Sequence, residues 1–179
     1  MRDLRLIERL ALSHHRGHFR KDGKTPYIEH PRAVAKYLED EIADKDAAYA
    51  LGMLHDSIED GPEFSGKSEN ELISEISAAL GSIFDRGTAS GILEAIKAVS
   101  NNLHSHYGEG LEGAGPLAFA VKICDMRHNL EDMRTLPEGE RDRQIRKYLA
   151  VLRKFRGSFA GLKNFAKVQG LLRAYGYDL

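Results

Sequence analysis

The chain has 179 residues, of which 42% are hydrophobic and 30% charged, and its formal net charge at pH 7 is −1. These values predict one globular domain over residues 1–179 and no electrostatic attraction to nucleic acid or to an acidic membrane, so neither is expected as a partner. A single cysteine, a charged N-terminus and no apolar run of the ~20 residues that span a bilayer predict a cytoplasmic protein without disulfides.

Apolar residues at helical spacing predict helices in the first third of the chain. Residues 4–14 predict a first helix that Gly17 closes, and residues 20–27 predict a loop. Pro31 suits the first turn of a second helix. A third helix is predicted over residues 44–60, where a Gly-Pro pair ends it.

The remaining sequence also predicts helices, separated by glycine and proline. A capping box at 68–71 begins a helix that Gly81 stops, and another helix covers residues 92–99. The stretch 100–115 lacks periodicity and is the longest predicted loop, a candidate lid. Helix resumes at Pro116, and a later proline separates it from two C-terminal helices. No segment predicts a strand, so the expected fold class is all-α.

The densest polar segment lies at the end of the third predicted helix. His55, Asp56, Glu59 and Asp60 stand within six residues, and residues four apart on a helix share one face. Apolar positions on the other side of the helix would keep these acids near the core, where carboxylates are costly unless they are paired or bind a cation. The segment favours a metal or catalytic site over a structural polar network.

Two further polar sets lie on other predicted helices. Asp125, His128 and Asn129 are spaced to face one site, and alone they indicate either a satisfied acid in the core or a ligand. His30 stands just before the second predicted helix, where a lone histidine is usually a cap or a surface residue.

Taken together, these sets change the interpretation. His30, His55, Asp56 and Asp125 are two imidazoles and two carboxylates, a mixture that suits a first-row divalent ion such as Mn, Fe, Co or Zn and argues against an all-oxygen site for Mg or Ca. The Glu-Asp pair at 59–60 remains beside the metal. One acid could accept a proton from water, and the other could orient that water or protonate a leaving group. The predicted chemistry is metal-assisted hydrolysis.

Three motifs connect these residues. They read H-x-x-x-x-R-K-D-G-x-x-P-Y-x-x-H-P over 15–31, L-H-D-x-x-E-D over 54–60 and V-K-x-x-D-x-x-H-N over 121–129. The chain thereby resembles the HD-domain phosphohydrolases. More narrowly, it looks like the hydrolase domain of RelA/SpoT alarmone enzymes and the small alarmone hydrolases. His18 departs from the pattern, because relatives usually carry Gln at that position.

The resemblance implies a fold, a reaction and a set of roles. The fold would be an HD-domain helical bundle, and the reaction would release pyrophosphate from the 3′ position of guanosine 3′,5′-bis(diphosphate), a guanine nucleotide. A planar guanidinium can stack on a base, and lysine is a compact phosphate partner. The implied residues are His30, His55, Asp56 and Asp125 as Mn²⁺ ligands, Glu59 and Asp60 as catalytic acids, and Arg20, Lys21 and Asn129 as substrate contacts.

Two other functions fit the same residues. Another HD-type nucleotide phosphohydrolase, such as an NADPH 2′-phosphatase or a 5′-nucleotidase, would use the same metal and acids. A non-catalytic nucleotide sensor would need no acids beside its metal, so the Glu59-Asp60 pair argues against it.

Overall fold

Helices joined by short turns make up the structure. A computed structural model describes residues 2–179, within which an isolated antiparallel bridge between Phe19 and Pro26 is the only extended pairing. The predicted all-α class is confirmed. None of the helices in residues 2–179 is both long and apolar enough to cross a lipid bilayer. The ten α-helices of the described residues are α1 (Arg5–His14), α2 (Glu29–Leu38), α3 (Lys45–Leu54), α4 (Gly61–Ser65), α5 (Glu69–Ile83), α6 (Arg86–Val99), α7 (Pro116–Asp132), α8 (Glu138–Lys154), α9 (Arg156–Phe159) and α10 (Lys163–Ala174).

Side-chain caps determine where several helices begin. The Asp44 carboxylate accepts hydrogen bonds from the backbone N–H groups of Asp46 and Ala47 at the start of α3. The predicted capping box of α5 is confirmed, since Ser68 accepts from the Glu71 N–H and Glu71 accepts from the Ser68 N–H. Each cap pairs N–H groups that the first helical turn leaves without a partner.

The predicted end of the third helix is wrong. Helix α3 ends at Leu54, residues 55–60 form successive turns, and Gly61 begins α4 instead of ending a helix. The His55 Nδ1–H donates to the Gly52 carbonyl oxygen at 2.8 Å. The Ser57 N–H donates to the carbonyl oxygen of Leu54, only three residues back, so the chain tightens here and leaves the α-helical path.

Three other features of the helices and loops differ from the predictions. Gly81 does not stop α5, which continues to Ile83, because one glycine costs a helix only about 1 kcal/mol. The predicted loop over 100–115 contains two short 3₁₀ turns. The C-terminal region holds the short helix α9 between the two predicted helices.

Helix α7 is the central element of the bundle. Every residue from 118 to 126 is buried, and α7 packs against α2, α6 and α10. A helix that is buried on all sides must satisfy any charged side chain it carries within the protein. Helix α2 also packs against α3, so α2 lies between the two other helices that carry the predicted ligands.

Gly52 allows α2 and α3 to approach closely. A Cβ atom at this position would lie 2.3 Å from the Ala35 Cα atom and 2.5 Å from the Ala35 backbone nitrogen. Both helix backbones would have to move to admit it, because backbone atoms cannot turn aside as a flexible side chain can. Glycine at position 52 therefore sets the distance between these helices.

We predict opposite effects for two Gly→Ala substitutions in helices. Gly52→Ala should lower the free energy of unfolding by about 3 kcal/mol, because it forces α2 and α3 apart. Gly81→Ala, where no atom lies within 4 Å of the new methyl group, should raise it by about 1 kcal/mol through helix propensity. Urea denaturation followed by circular dichroism measures both. A Gly52→Ala protein as stable as the unsubstituted chain would refute the proposed close packing.

Candidate metal centre

The four predicted ligands come from three places in the bundle. His30 is the second residue of α2, His55 and Asp56 follow the last residue of α3, and Asp125 lies in the middle of α7. His30 and His55 are buried, and the Asp125 residue is only 7% exposed. The packing of α2 between α3 and α7 brings these distant parts of the sequence together.

Ring nitrogens and carboxylate oxygens converge at the centre of this cluster. The His30 Nε2 atom lies 3.2 Å from Asp56 Oδ2 and 3.4 Å from Asp125 Oδ1, and the His55 Nε2 atom lies 3.1 Å from Asp56 Oδ2. Ligand atoms of His30, His55 and Asp56 all lie within 4.8 Å of one another. The structure therefore brings all four predicted ligands to one point.

The outward-facing nitrogens of the two rings have partners, whereas the inward-facing ones do not. His55 donates through Nδ1 to Gly52, and the His30 Nδ1 atom lies 2.8 Å from the His128 Nδ1 atom. Neither Nε2 atom meets hydrogen-bond geometry with any partner in residues 2–179. Two buried nitrogens aimed at carboxylates suit a divalent cation, since metal-binding histidines use one nitrogen for the metal and anchor the other.

The charges of the cluster also suit a cation. Burial opposes ionisation of Asp56 and Asp125, but the charges of His55 at Asp56 and of Lys122 at Asp125 hold both pKa values below their usual range. Burial disfavours a charged His55, yet the Asp56 carboxylate outweighs it and raises the pKa of His55 to about 9. The cluster thus requires positive charge, which either protons or a divalent metal can supply.

Lys122 lies in the cluster and belongs to one of the sequence motifs, but the motif did not predict its role. Its Nζ atom donates to Asp125 Oδ2 at 3.0 Å and lies 4.9 Å from the centre of the Tyr107 ring. The residue is only 4% exposed, so its charge must be neutralised inside the protein. The spacing of three between Lys122 and Asp125 on one helix was the available signal.

The two predicted acids stand beside the cluster. Glu59 Oε2 accepts hydrogen bonds from the backbone N–H and the side-chain amide of Asn101, at 2.8 and 2.9 Å. Burial and the Asp56 charge raise the pKa of Glu59, and the same two causes raise the pKa of Asp60 to about 7. Carboxyl groups that titrate near neutral pH can exchange protons with a substrate or with water.

The segment over 100–115 lies against the site through Asn101. No motif of the sequence indicates this residue, which holds Glu59 through a contact 42 positions away in the chain. Within the same segment, Leu111 belongs to the hydrophobic core. That the segment moves as a lid stays a prediction.

Of the three predicted substrate contacts, Asn129 bonds to a predicted ligand and Arg20 bonds to Asn129. The Arg20 guanidinium donates to Asn129 Oδ1 at 3.0 Å and to Asp132 Oδ2 at 2.8 Å, and the Asn129 amide donates to Asp125 Oδ1. The Lys21 side chain is 54% exposed at the rim. A cleft of about 380 Å³ opens between these side chains and the end of α7, which is ample room for a ligand group.

The chain is similar to known proteins over most of its length. No protein-family model matches it. The guanosine-3′,5′-bis(diphosphate) 3′-pyrophosphohydrolase MESH1 of Homo sapiens is 29% identical over 141 residues, or 77% of this chain and 74% of that protein. The Danio rerio protein of the same name is 29% identical over 177 residues, or 94% and 92%. The guanosine-3′,5′-bis(diphosphate) 3′-pyrophosphohydrolase of Haemophilus influenzae is 28% identical over 151 residues, which are 79% of this chain but 20% of that longer protein.

His128 is predicted to hold His30 in position for the metal. Burial and the neighbouring His30 lower the pKa of His128 to about 4, so the neutral ring can accept a hydrogen bond at Nδ1 from the His30 Nδ1–H. Substitution of such an outer partner typically weakens metal binding ~10–100-fold, and we expect this range for His128→Ala. Titration with Mn²⁺, followed by the paramagnetic resonance of the free ion, measures the affinity.

The matched control for this prediction is His106→Ala, at an exposed histidine outside the cluster. It should leave the affinity for Mn²⁺ unchanged, and circular dichroism should show both variants folded. Unchanged affinity in folded His128→Ala protein would exclude the positioning role.

Proposed function

Because the chain is a distant homologue of HD-domain alarmone hydrolases, we propose that it is a Mn²⁺-dependent phosphohydrolase that removes pyrophosphate from the 3′ position of guanosine 3′,5′-bis(diphosphate). The observation that carries this proposal is the buried cluster of His30, His55, Asp56 and Asp125, in which both inward-facing Nε2 atoms lack a hydrogen-bond partner in residues 2–179. The adjacent acids Glu59 and Asp60 favour an enzyme over a nucleotide sensor.

The four clustered side chains would hold the metal. When bound, Mn²⁺ supplies Lewis acidity, which polarises a phosphoryl oxygen and makes water more acidic. The hydrogen bond from the His55 Nδ1–H to the Gly52 carbonyl oxygen leaves the Nε2 atom for the metal, which would replace a proton there. Tyr27 donates from its hydroxyl to Asp56 Oδ2 at 2.7 Å and fixes the orientation of that carboxylate.

The two acids would move protons at the reacting phosphorus. We assign Glu59 as the group that accepts a proton from the attacking water, because Asn101 holds one of its carboxylate oxygens through two hydrogen bonds. Asp60 would donate a proton to the ribose 3′ oxygen as its bond to phosphorus breaks. Both acids border one small cavity with Asp56, Asp125 and Asn129, so water and substrate can reach them together.

The nucleotide would occupy the cleft beside the metal. Arg20 lies 5.4 Å from the centre of the Tyr27 ring, and its planar guanidinium would stack on the base. Asn129 lies between Arg20 and Asp125 and would contact the substrate near its reacting end. The exposed Lys21 ammonium would pair with a phosphate group.

Product analysis tests the reaction. Purified protein with Mn²⁺ and guanosine 3′,5′-bis(diphosphate) should yield guanosine 5′-diphosphate and intact pyrophosphate by phosphorus NMR, and excess chelator should stop the reaction. Orthophosphate from NADPH or from nucleoside monophosphates, with the bis(diphosphate) untouched, would replace the alarmone assignment with one of the alternative phosphatases. Binding of the nucleotide without turnover would support the sensor.

Glu59→Gln should keep the metal and lose the rate. The amide has the size of the carboxylate but cannot accept a proton, so single-turnover rates should fall ~10²–10⁴-fold at unchanged metal content. Glu63→Gln, at an exposed acid in α4, is the matched control and should retain the rate of the unsubstituted protein. A near-normal rate for Glu59→Gln would remove the proton-accepting role from Glu59.

A further inference from the structure

A second group of potential ligands lies outside the cluster of His30, His55, Asp56 and Asp125. Ligand atoms of His15, His18 and Asp60 all lie within 4.8 Å of one another. We propose that these three side chains form a second metal site, selective for a first-row transition ion such as Zn²⁺. Neither histidine has a role in the proposed reaction.

A tight turn brings the two imidazoles together. His15 follows the last residue of α1, and the His18 backbone N–H donates to the His15 carbonyl oxygen at 3.0 Å. Gly17 between them has a φ of +75°, a left-handed conformation that residues with a side chain rarely adopt. The turn leaves the two ring centres 5.8 Å apart. Asp60, which is the residue that precedes α4, is the third side chain of the group.

Three ring nitrogens of this group are buried without a partner, although the His18 and Asp60 side chains as a whole are partly exposed. His15 is 5% exposed, and neither of its ring nitrogens has a hydrogen-bond partner in residues 2–179. The same is true of His18 Nδ1, which lies 4.0 Å from Asp60 Oδ2. Buried polar atoms without partners are destabilising, and a metal ion bound to one nitrogen of each ring would satisfy two of the three.

The donor set determines which ion would bind. Two imidazole nitrogens and one carboxylate are the ligands of three-residue sites for zinc and for non-haem iron, with further positions open to water. Magnesium and calcium prefer oxygen ligands and would bind poorly. The set therefore selects a transition ion.

His18 is held in place on both faces of its ring. Tyr27 and Phe64 stack against it, each with a centroid distance of 3.8 Å and an interplanar angle of 8°. A ring clamped in this way loses little further freedom when it binds a metal, which favours affinity. Tyr27 also bonds to Asp56, so one side chain contacts both groups of ligands.

Metal counting tests the second site directly. After dialysis against Zn²⁺ and removal of loosely bound ion, elemental analysis should find two equivalents in the unsubstituted protein and one in His18→Gln. His106→Gln, which removes an exposed histidine instead, should keep two. His55→Ala should lose the first site and keep one equivalent, so failure of the proposed catalytic site and failure of this site give different results.

Several outcomes would overturn the proposal. The first is that His18→Gln and the unsubstituted protein bind the same amount of zinc. The second is that His106→Gln also loses one equivalent. The third is that folded His55→Ala loses all of its zinc. Circular dichroism establishes that each variant is folded. If the unsubstituted protein binds one equivalent that His18→Gln loses and His55→Ala keeps, the second site stands and the first does not.

A functional consequence follows, and it rests on the proposed function. Zinc bound to Asp60 would occupy the carboxylate that we assign as proton donor, so excess Zn²⁺ should inhibit the Mn²⁺-loaded enzyme. The inhibitory concentration of zinc should be about tenfold or more higher for His18→Gln, because loss of even an outer partner of a metal weakens binding by that factor. Equal inhibition of both proteins would show that zinc acts elsewhere, and the inhibitory role would be withdrawn.

Discussion

The direct backbone contact between α2 and α3 determines where the predicted metal-binding groups can meet. Gly52 lies against Ala35 with no room for a side chain, so the two helices approach as closely as their backbones allow. The same glycine offers its carbonyl oxygen to His55 Nδ1, which leaves His55 Nε2 facing inward. One residue therefore sets both the separation of the helices and the orientation of a ligand, and His30 reaches the same point from α2.

The cluster at that point depends on a balance of buried charge. Asp56 and Asp125 would each be costly in a protein core without a compensating positive group. Lys122 supplies one such group at Asp125, and the histidines supply others at Asp56. Because Lys122 occupies Oδ2 of Asp125, the Oδ1 atom is the one directed at His30. The interactions that keep the carboxylates ionised also determine which oxygen atoms face the proposed metal.

Hydrogen bonds connect this centre to the surface of the cleft. Arg20 donates a hydrogen bond to Asn129, and Asn129 donates one to Asp125. A substrate that binds Arg20 would therefore contact a residue whose partner, Asn129, is bonded to the cluster. On the other side, Asn101 links Glu59 to the segment over 100–115. The cluster is thus connected to the predicted substrate contact Arg20 on one side, and the proposed acid Glu59 is held by a separate segment on the other.

Local sequence patterns predicted which residue types carry the proposed chemistry and where most helices begin, whereas tertiary packing determined which side chains meet. Capping predicted α5 correctly because its hydrogen bonds span only three residues. The density of polar residues over 55–60 could indicate a site, and the predicted roles of its residues remain predictions. The helix predicted to continue to Asp60 was wrong, because the His55 side chain bonds back to the backbone and the turn tightens. The contacts of Lys122 and Asn101 and the approach of Asp60 to His18 were not predicted. The contacts of Asn101 and of Asp60 with His18 join residues far apart in the sequence, and spacing along one helix describes only neighbours within a turn or two. Lys122 lies within one turn of Asp125, but its role depends on α7 being buried on every side, which only the packing decides.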